Sequence, residues 1–166
     1  MKTLYLVRHA KSSWEQPGIP DFDRPLMAIG EKRTKSVIAF LQSKEISIDL
    51  LFSSPAVRAY ETAKLIAAGL NYPIHSIKKE LVIYGGNMDL ILNMIYITAD
   101  DFSTLMIVGH NPTITHLANI FLKPGIDMLR TTGVVAISFN TDQWEKIHEA
   151  EVNLEFLVFP KMLKHE

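Results

Sequence analysis

Three short apolar runs in this chain stop abruptly on residues able to do chemistry. Leu4-Tyr5-Leu6-Val7 runs into Arg8-His9, Leu50-Leu51-Phe52 runs into Ser53-Ser54-Pro55 with Arg58 just beyond, and Leu105-Met106-Ile107-Val108 runs into Gly109-His110-Asn111-Pro112. A guanidinium is planar, permanently charged and matched to the oxygens of phosphate or carboxylate. Two imidazoles set among such cations have their protonated forms disfavoured by like charge, which leaves a ring nitrogen free to act as a nucleophile near neutral pH. Brought together, these groups would cradle an oxyanion and could attack a bound phosphoryl group. A single Arg or His is more often a surface or hydrogen-bonded side chain than a catalyst, so the weight rests on their joint recurrence at three run ends.

The elements that must position them follow from hydrophobic periodicity. The continuous apolar runs at 3–7, 50–52 and 105–108 predict buried strands. A further strand is expected around Ile74 to Ile77, and late strands over Val134 to Phe139 and Glu151 to Phe159, the last with Val152, Leu154, Phe156 and Val158 in one register. Helical spacing appears from Met27 to Lys44 (Ile29, Val37, Phe40, Leu41), after Pro55 (Val57, Tyr60, Ala63, Ile66, Leu70), from about Asn87 to Ile97 (Met88, Ile91, Leu92, Ile95), and after Pro112 (Ile114, Leu117, Ala118, Phe121). Strands alternating with helices, the strands apolar throughout, predict an α/β three-layer sandwich with a mainly parallel central sheet and helices on both faces. In such sheets ligands bind outside the carboxyl ends of the strands, so all three polar clusters can face one crevice. Ser54-Pro55 and Asn111-Pro112 each suggest a capping residue followed by proline at the first helical position, with each helix amino end turned toward an anion. The Pro- and Gly-containing stretch from Lys11 to Pro25 is the longest irregular segment and is expected beside the site.

Composition narrows the classes. With 166 residues and 48% apolar side chains, one domain over 1–166 is expected. The net charge of −1 and pI near 6.6 provide no general positive field, so neither nucleic acid nor a membrane surface is expected as partner. The absence of cysteine removes disulfides, thiol catalysis and thiolate-bound metals, and with no export signal read at the amino terminus the expectation is a cytoplasmic monomer. No cofactor or metal is implied: His110 and His116 are six residues apart and share no helical face, while His75, His148 and His165 lie in segments without a convergent partner. Asp21-Phe22-Asp23 has the look of the paired carboxylates of aspartyl-phosphate chemistry, but it follows Pro17-Gly18-Ile19-Pro20, a loop, where that chemistry needs a strand end.

Leu6-Val7-Arg8-His9-Ala10-Lys11-Ser12-Ser13-Trp14, Asp23-Arg24-Pro25-Leu26 with Gly30, Ser53-Ser54-Pro55 with Arg58 and Glu61-Thr62-Ala63, and Val108-Gly109-His110-Asn111-Pro112 together resemble the histidine phosphatase superfamily, with its phosphoglycerate-mutase-like fold. Within it they look most like the small SixA-type phosphohistidine phosphatases, and Thr131-Thr132-Gly133-Val134-Val135-Ala136 is similar to a late strand of that group. The resemblance implies that His9 forms a phosphohistidine intermediate, that Arg8, Arg58 and His110 bind the phosphoryl oxygens, and that Arg24 lies at the pocket rim as a further substrate contact. Ala10 stands where the broader superfamily has glycine, a change the SixA-type group shares. The carboxylate that donates a proton in sugar-phosphate members does not align cleanly; Glu80 is the nearest candidate, and a solvated strand residue is its alternative reading.

The function expected is therefore a metal-independent phosphatase acting on phosphohistidine carried by a phosphotransfer protein. Three alternatives stay open: a small-molecule ester phosphatase, a mutase of the same superfamily, and a phosphate-binding module without turnover.

Overall fold

The computed structural model describes residues 1–164, so His165 lies outside the described part. Six strands form one sheet in the order β3-β2-β4-β1-β5-β6. They are β1 (Lys2–Arg8), β2 (Leu50–Ser53), β3 (Lys78–Lys79), β4 (Thr104–Gly109), β5 (Val134–Phe139) and β6 (Val152–Val158). β1, β2, β3 and β4 run parallel, β5 runs antiparallel to β1, and the edge strand β6 pairs antiparallel with β5.

Alternation along the central strands sends side chains to two separate cores. Leu4 and Leu6 of β1, Leu105 and Ile107 of β4, and Val135 and Ile137 of β5 pack with α3 (Leu81–Gly85), α4 (Met88–Tyr96) and α5 (Thr113–Phe121). Tyr5, Val7, Met106, Val108, Val134 and Ala136 face the other way, against α1 (Ala28–Ser43) and α2 (Val57–Gly69). The three-layer α/β sandwich expected from the periodicity is the one observed. Both faces being apolar is the physical reason the parallel strands read as unbroken hydrophobic runs.

Three local expectations fail. Ile74–Ser76 forms a 3-10 turn with Ile74 exposed, and the strand comes only at Lys78–Lys79, because this outermost strand needs few apolar residues and Pro73 starts a turn in front of it. In β6 the pairing slips between Ala136 and Ile137, so that Phe156 opposes Ala136 while Leu154 opposes Ile137. This bulge breaks the single register and leaves Leu154 exposed. Neither proline sits where the capping pattern put it: α2 starts at Val57 behind Ala56, and α5 starts at Thr113 with Pro112 itself as the cap residue. Ser54 Oγ still accepts the Ala56 N–H at 3.2 Å. Asn111 instead braces the loop, donating from Nδ2 to the Leu129 carbonyl at 2.6 Å and accepting from Thr115 Oγ1 at 2.6 Å. Among the described residues no helix is long and apolar enough to cross a membrane.

Candidate active site

The register places the three clusters at one level. Arg8 pairs with Gly109 and Ser53 with Val108, so Arg8-His9, Ser53-Ser54 and Gly109-His110 leave the sheet side by side at its carboxyl edge. The His9 and His110 rings stand 5.2 Å apart between centroids. The backbone around His9 is held from both sides: its N–H donates to the Gly109 carbonyl at 3.0 Å, and the Thr132 N–H donates to the Arg8 and His9 carbonyls at 3.1 and 3.2 Å. Thr132 does so from φ 54°, a left-handed conformation costly for a β-branched residue, which places strain directly beside His9. The Thr34 hydroxyl approaches that of Thr132 at 3.2 Å and ties this turn to α1.

His9 is buried, with Nδ1 2.7 Å from the Ala10 carbonyl. A carbonyl can only accept, so Nδ1 carries the hydrogen and Nε2 presents its lone pair. Burial first, then the neighbouring His110, Arg58 and Arg8, outweigh that hydrogen bond and lower the His9 pKa to about 3. His110 is lowered to about 4, chiefly by burial and next by Arg58. Like charge, the cause argued from sequence, thus comes second to desolvation. His110 Nε2 lies 2.7 Å from Ser54 Oγ, which already accepts the Ala56 N–H. The Ser54 hydroxyl proton is then free to point at Nε2, an arrangement that favours the hydrogen on His110 Nδ1.

Arg58 is buried and held edge-on by Asp21, donating from Nη1 to its backbone carbonyl at 2.7 Å and from Nη2 to Oδ2 at 3.0 Å. The same carboxylate accepts from Arg24 Nε at 3.1 Å and from the Tyr84 hydroxyl at 2.9 Å. Partial desolvation opposes its ionisation, but hydrogen bonds from Tyr84, Arg58 and Arg24 prevail and hold the Asp21 pKa at about 2. Arg24 is itself buried, bonded from Nη1 to Ser12 Oγ at 2.8 Å, with the exposed Trp14 ring stacked 3.4 Å from its guanidinium carbon. It holds the Lys11–Pro25 loop over the site and reaches Arg58 through Asp21. The loop closes at its base through Ser13 N–H to the Pro25 carbonyl and Met27 N–H to that of Lys11. A Cβ on Gly30 would collide with the Lys11 backbone, which explains glycine there.

Arg8 donates from Nη1 to the Leu129 carbonyl at 3.1 Å, and burial lowers its pKa. Among the described residues, the buried side-chain nitrogens and oxygens without a hydrogen-bond partner are Arg8 Nε, Arg58 Nε and His110 Nδ1. Leaving such atoms unsatisfied costs about 1–3 kcal/mol each, and all three belong to this cluster. Glu80 follows β3 at the same sheet edge, half-buried, its N–H donating to the Ser53 carbonyl at 2.9 Å. Its carboxylate has no hydrogen-bond partner among the described residues. Asp21 and Tyr84 were missed from sequence. Asp21 sits in the loop expected beside the site, but the sequence weighs it only as an aspartyl-phosphate carboxylate, and nothing local signals that it reaches Arg58, 37 positions away. His75, His116 and His148 are exposed and apart from the cluster, and among the described residues no three His, Asp or Glu side chains converge to hold a metal.

The depressed histidine values have a consequence for stability. Both folded-state pKa values, about 3 and about 4, lie below the ordinary histidine value of 6.5, so the unfolded chain takes up protons that the folded chain refuses. The stabilisation is therefore complete above pH 6.5 and declines as the pH falls toward 4. Urea denaturation followed from pH 7 to 4.5 should show a falling midpoint, with most of that slope removed in a His9→Gln/His110→Gln protein. A flat profile in the wild-type protein would contradict the burial of two neutral rings.

The model of the Histidine phosphatase superfamily (branch 1) matches residues 4–81. An uncharacterized protein of Mycobacterium tuberculosis is 32% identical over 112 residues, spanning 68% of this chain and 67% of that protein. Among solved structures, the protein histidine phosphatase SixA complexed with tungstate superposes with a TM-score of 0.83 at 19% identity, over 98% of this chain and 99% of the other. A mycobacterial glucosyl-3-phosphoglycerate phosphatase in complex with inorganic phosphate superposes with a TM-score of 0.67 at 13% identity, over 94% and 96% of the two chains. Sequence match and fold agree with the motif residues gathered at the sheet edge, and the chain belongs to the histidine phosphatase superfamily.

Proposed function

We propose that this protein hydrolyses phosphohistidine on a phosphotransfer protein through a phosphoenzyme formed at His9. The observation that carries the reading is the set of three unpartnered polar atoms, Arg8 Nε, Arg58 Nε and His110 Nδ1, beside a histidine whose Nε2 lone pair is free. These three are the atoms a phosphoryl group would satisfy. In the first step His9 Nε2 attacks phosphorus and the bond to the leaving group breaks. In the second, water attacks the His9 phosphoramidate, releases inorganic phosphate and returns His9 to its neutral form. Arg8, Arg58 and His110 offset the charge on the phosphoryl oxygens in both steps. The two guanidiniums supply the positive field that a divalent metal supplies elsewhere, the neutral His110 ring adds a hydrogen bond from Nδ1, and no metal is needed.

The leaving group decides the substrate class. An ester expels an alkoxide unless an acid protonates it, whereas a protonated phosphohistidine ring leaves as neutral imidazole. Glu80, beyond β3 at the same sheet edge, is the candidate acid for an ester, and among the described residues no neighbour fixes its carboxylate. Only the short α3 and α4 lie between β3 and β4, an open arrangement that admits a protein-borne phosphohistidine and encloses a small sugar phosphate poorly. The fold shared with a protein histidine phosphatase supports the same choice. The fold shared with a sugar-phosphate phosphatase keeps ester hydrolysis as the second reading, and Glu80 is the residue that favours it.

The test is a panel of a phosphohistidine protein, phosphoserine and phosphotyrosine peptides, 3-phosphoglycerate and sugar phosphates, each with and without chelator. The phosphohistidine protein should lead in kcat/KM by about 100-fold, the scale of missing general-acid assistance, and chelator should change nothing. Glu80→Gln should lower ester hydrolysis more than phosphohistidine hydrolysis. A sugar phosphate turned over as well as the phosphohistidine protein, with that activity lost in Glu80→Gln, would replace this reading by an ester phosphatase or mutase.

A further inference from the structure

Beside Arg8, on the antiparallel side of the sheet, lies a cleft of about 700 Å³ lined by five cations, Arg8, Arg33, Arg130, Lys161 and Lys164, and, among the described residues, by no acidic side chain. The fold builds it from three directions. Val134 pairs with Val158, so the turn entering β5 and the chain leaving β6 emerge together. The closing 3-10 turn (Pro160–Leu163) packs on α1, its Leu163 against the core of that face, and this brings Lys161 and Arg33 to one cleft. The Arg130 guanidinium lies 4.8 Å from the centre of the Phe159 ring, which gives it a fixed seat in the wall.

Among the described residues none of these cations forms an ion pair. A chain of net charge −1 thus places five of its 17 Lys and Arg in one concavity with no balancing carboxylate among the described residues. Scattered basic residues on a convex surface are solvated and need no explanation. A concave wall of one sign focuses the field and repels itself until an anion arrives. Five cations exceed what one phosphate can engage. The volume falls within the roughly 300–1,000 Å³ of small-molecule sites, which favours a compact ligand over a macromolecular surface. A nucleic acid would need a basic track beyond the cleft, and the overall charge leaves little for one.

We propose that this cleft binds a small anion bearing several phosphate groups, an oligophosphate chain or a multiply phosphorylated metabolite. The site is separate from the chemistry at His9 and does not depend on the phosphatase reading, although Arg8 belongs to both walls. Calorimetric titration of the full chain, as wild type and as His9→Ala so that turnover plays no part, should show tripolyphosphate binding one site at least about tenfold tighter than orthophosphate. Arg33→Gln/Lys161→Gln should weaken tripolyphosphate by about tenfold or more while leaving orthophosphate affinity and p-nitrophenyl phosphate hydrolysis within about twofold. Arg130→Gln should act in the same direction. Tripolyphosphate affinity equal to that of orthophosphate, or unmoved in both variants, would overturn the proposal. So would a cleft that takes an acidic peptide or RNA and rejects tripolyphosphate.

Discussion

His9→Ala is expected to lower kcat by at least about 10³-fold on every phosphorylated substrate, the scale seen when a nucleophile is removed from a preorganised site. Nothing nearby can replace it. The chain has no cysteine, and Ser53 Oγ donates to the Ser54 carbonyl at 2.9 Å. The Asp21 carboxylate is tied by two arginines and Tyr84. Ser54 with His110 has the outline of a Ser–His pair at 2.7 Å, but His110 Nδ1 lacks the acceptor that would orient its ring as a base. Ser54→Ala should therefore keep turnover within about an order of magnitude, since it loses one hydrogen bond to a positioning ring. Steady-state kinetics on both variants, with far-UV circular dichroism to confirm folding, separates His9 from Ser54 as the nucleophile. Loss of activity in Ser54→Ala with retention in His9→Ala would reverse their roles.

Arg58→Lys should be the next most damaging change, lowering kcat/KM by about 10²–10³-fold, the loss typical of removing one donor to a developing oxyanion. Asp21 takes both terminal nitrogens of Arg58, and among the described residues its buried Nε has no partner. A lysine carries one compact charge and cannot bond to Asp21 and the phosphoryl group from fixed, separate nitrogens. Asp21→Asn should cost less, about tenfold, because it retains the backbone carbonyl contact to Arg58 and its side chain is partly solvated. Stopped-flow or steady-state assays with a small phosphorylated substrate give both values. An Arg58→Lys enzyme with unchanged kinetics would remove Arg58 from the site.

The legible parts of this fold are those dictated by burial. β1, β2, β4 and β5 pack between two layers, so their apolar runs could be read directly, and α5 buries every residue its helical spacing selects, Ile114, Leu117, Ala118 and Phe121. The edges were harder. β3 is two exposed lysines with no pattern to find, and the bulge in β6 arises from pairing with β5, which no local pattern records. The candidate-site residues Arg8, His9, Arg58 and His110 were legible because they lie at or just beyond strand ends, where topology makes neighbours of residues distant in sequence. Their support was not. Asp21, Tyr84 and Thr132 act across the fold from a loop, a short helix and a turn, through contacts that only the assembled chain defines. The basic cleft was hidden for the same reason, since Arg33, Arg130 and Lys161 come from three segments whose charges cancel in the overall composition.

The most direct test of the account is the position of the phosphoryl group in the trapped enzyme. Because Nδ1 of His9 is committed to the Ala10 carbonyl, rapid-quench trapping with labelled substrate should give an acid-labile, base-stable label, and NMR of the denatured phosphoenzyme should place phosphorus on Nε2 of His9. A base-labile acyl phosphate on an aspartate, a label on His110, or a label that persists in His9→Ala would contradict it.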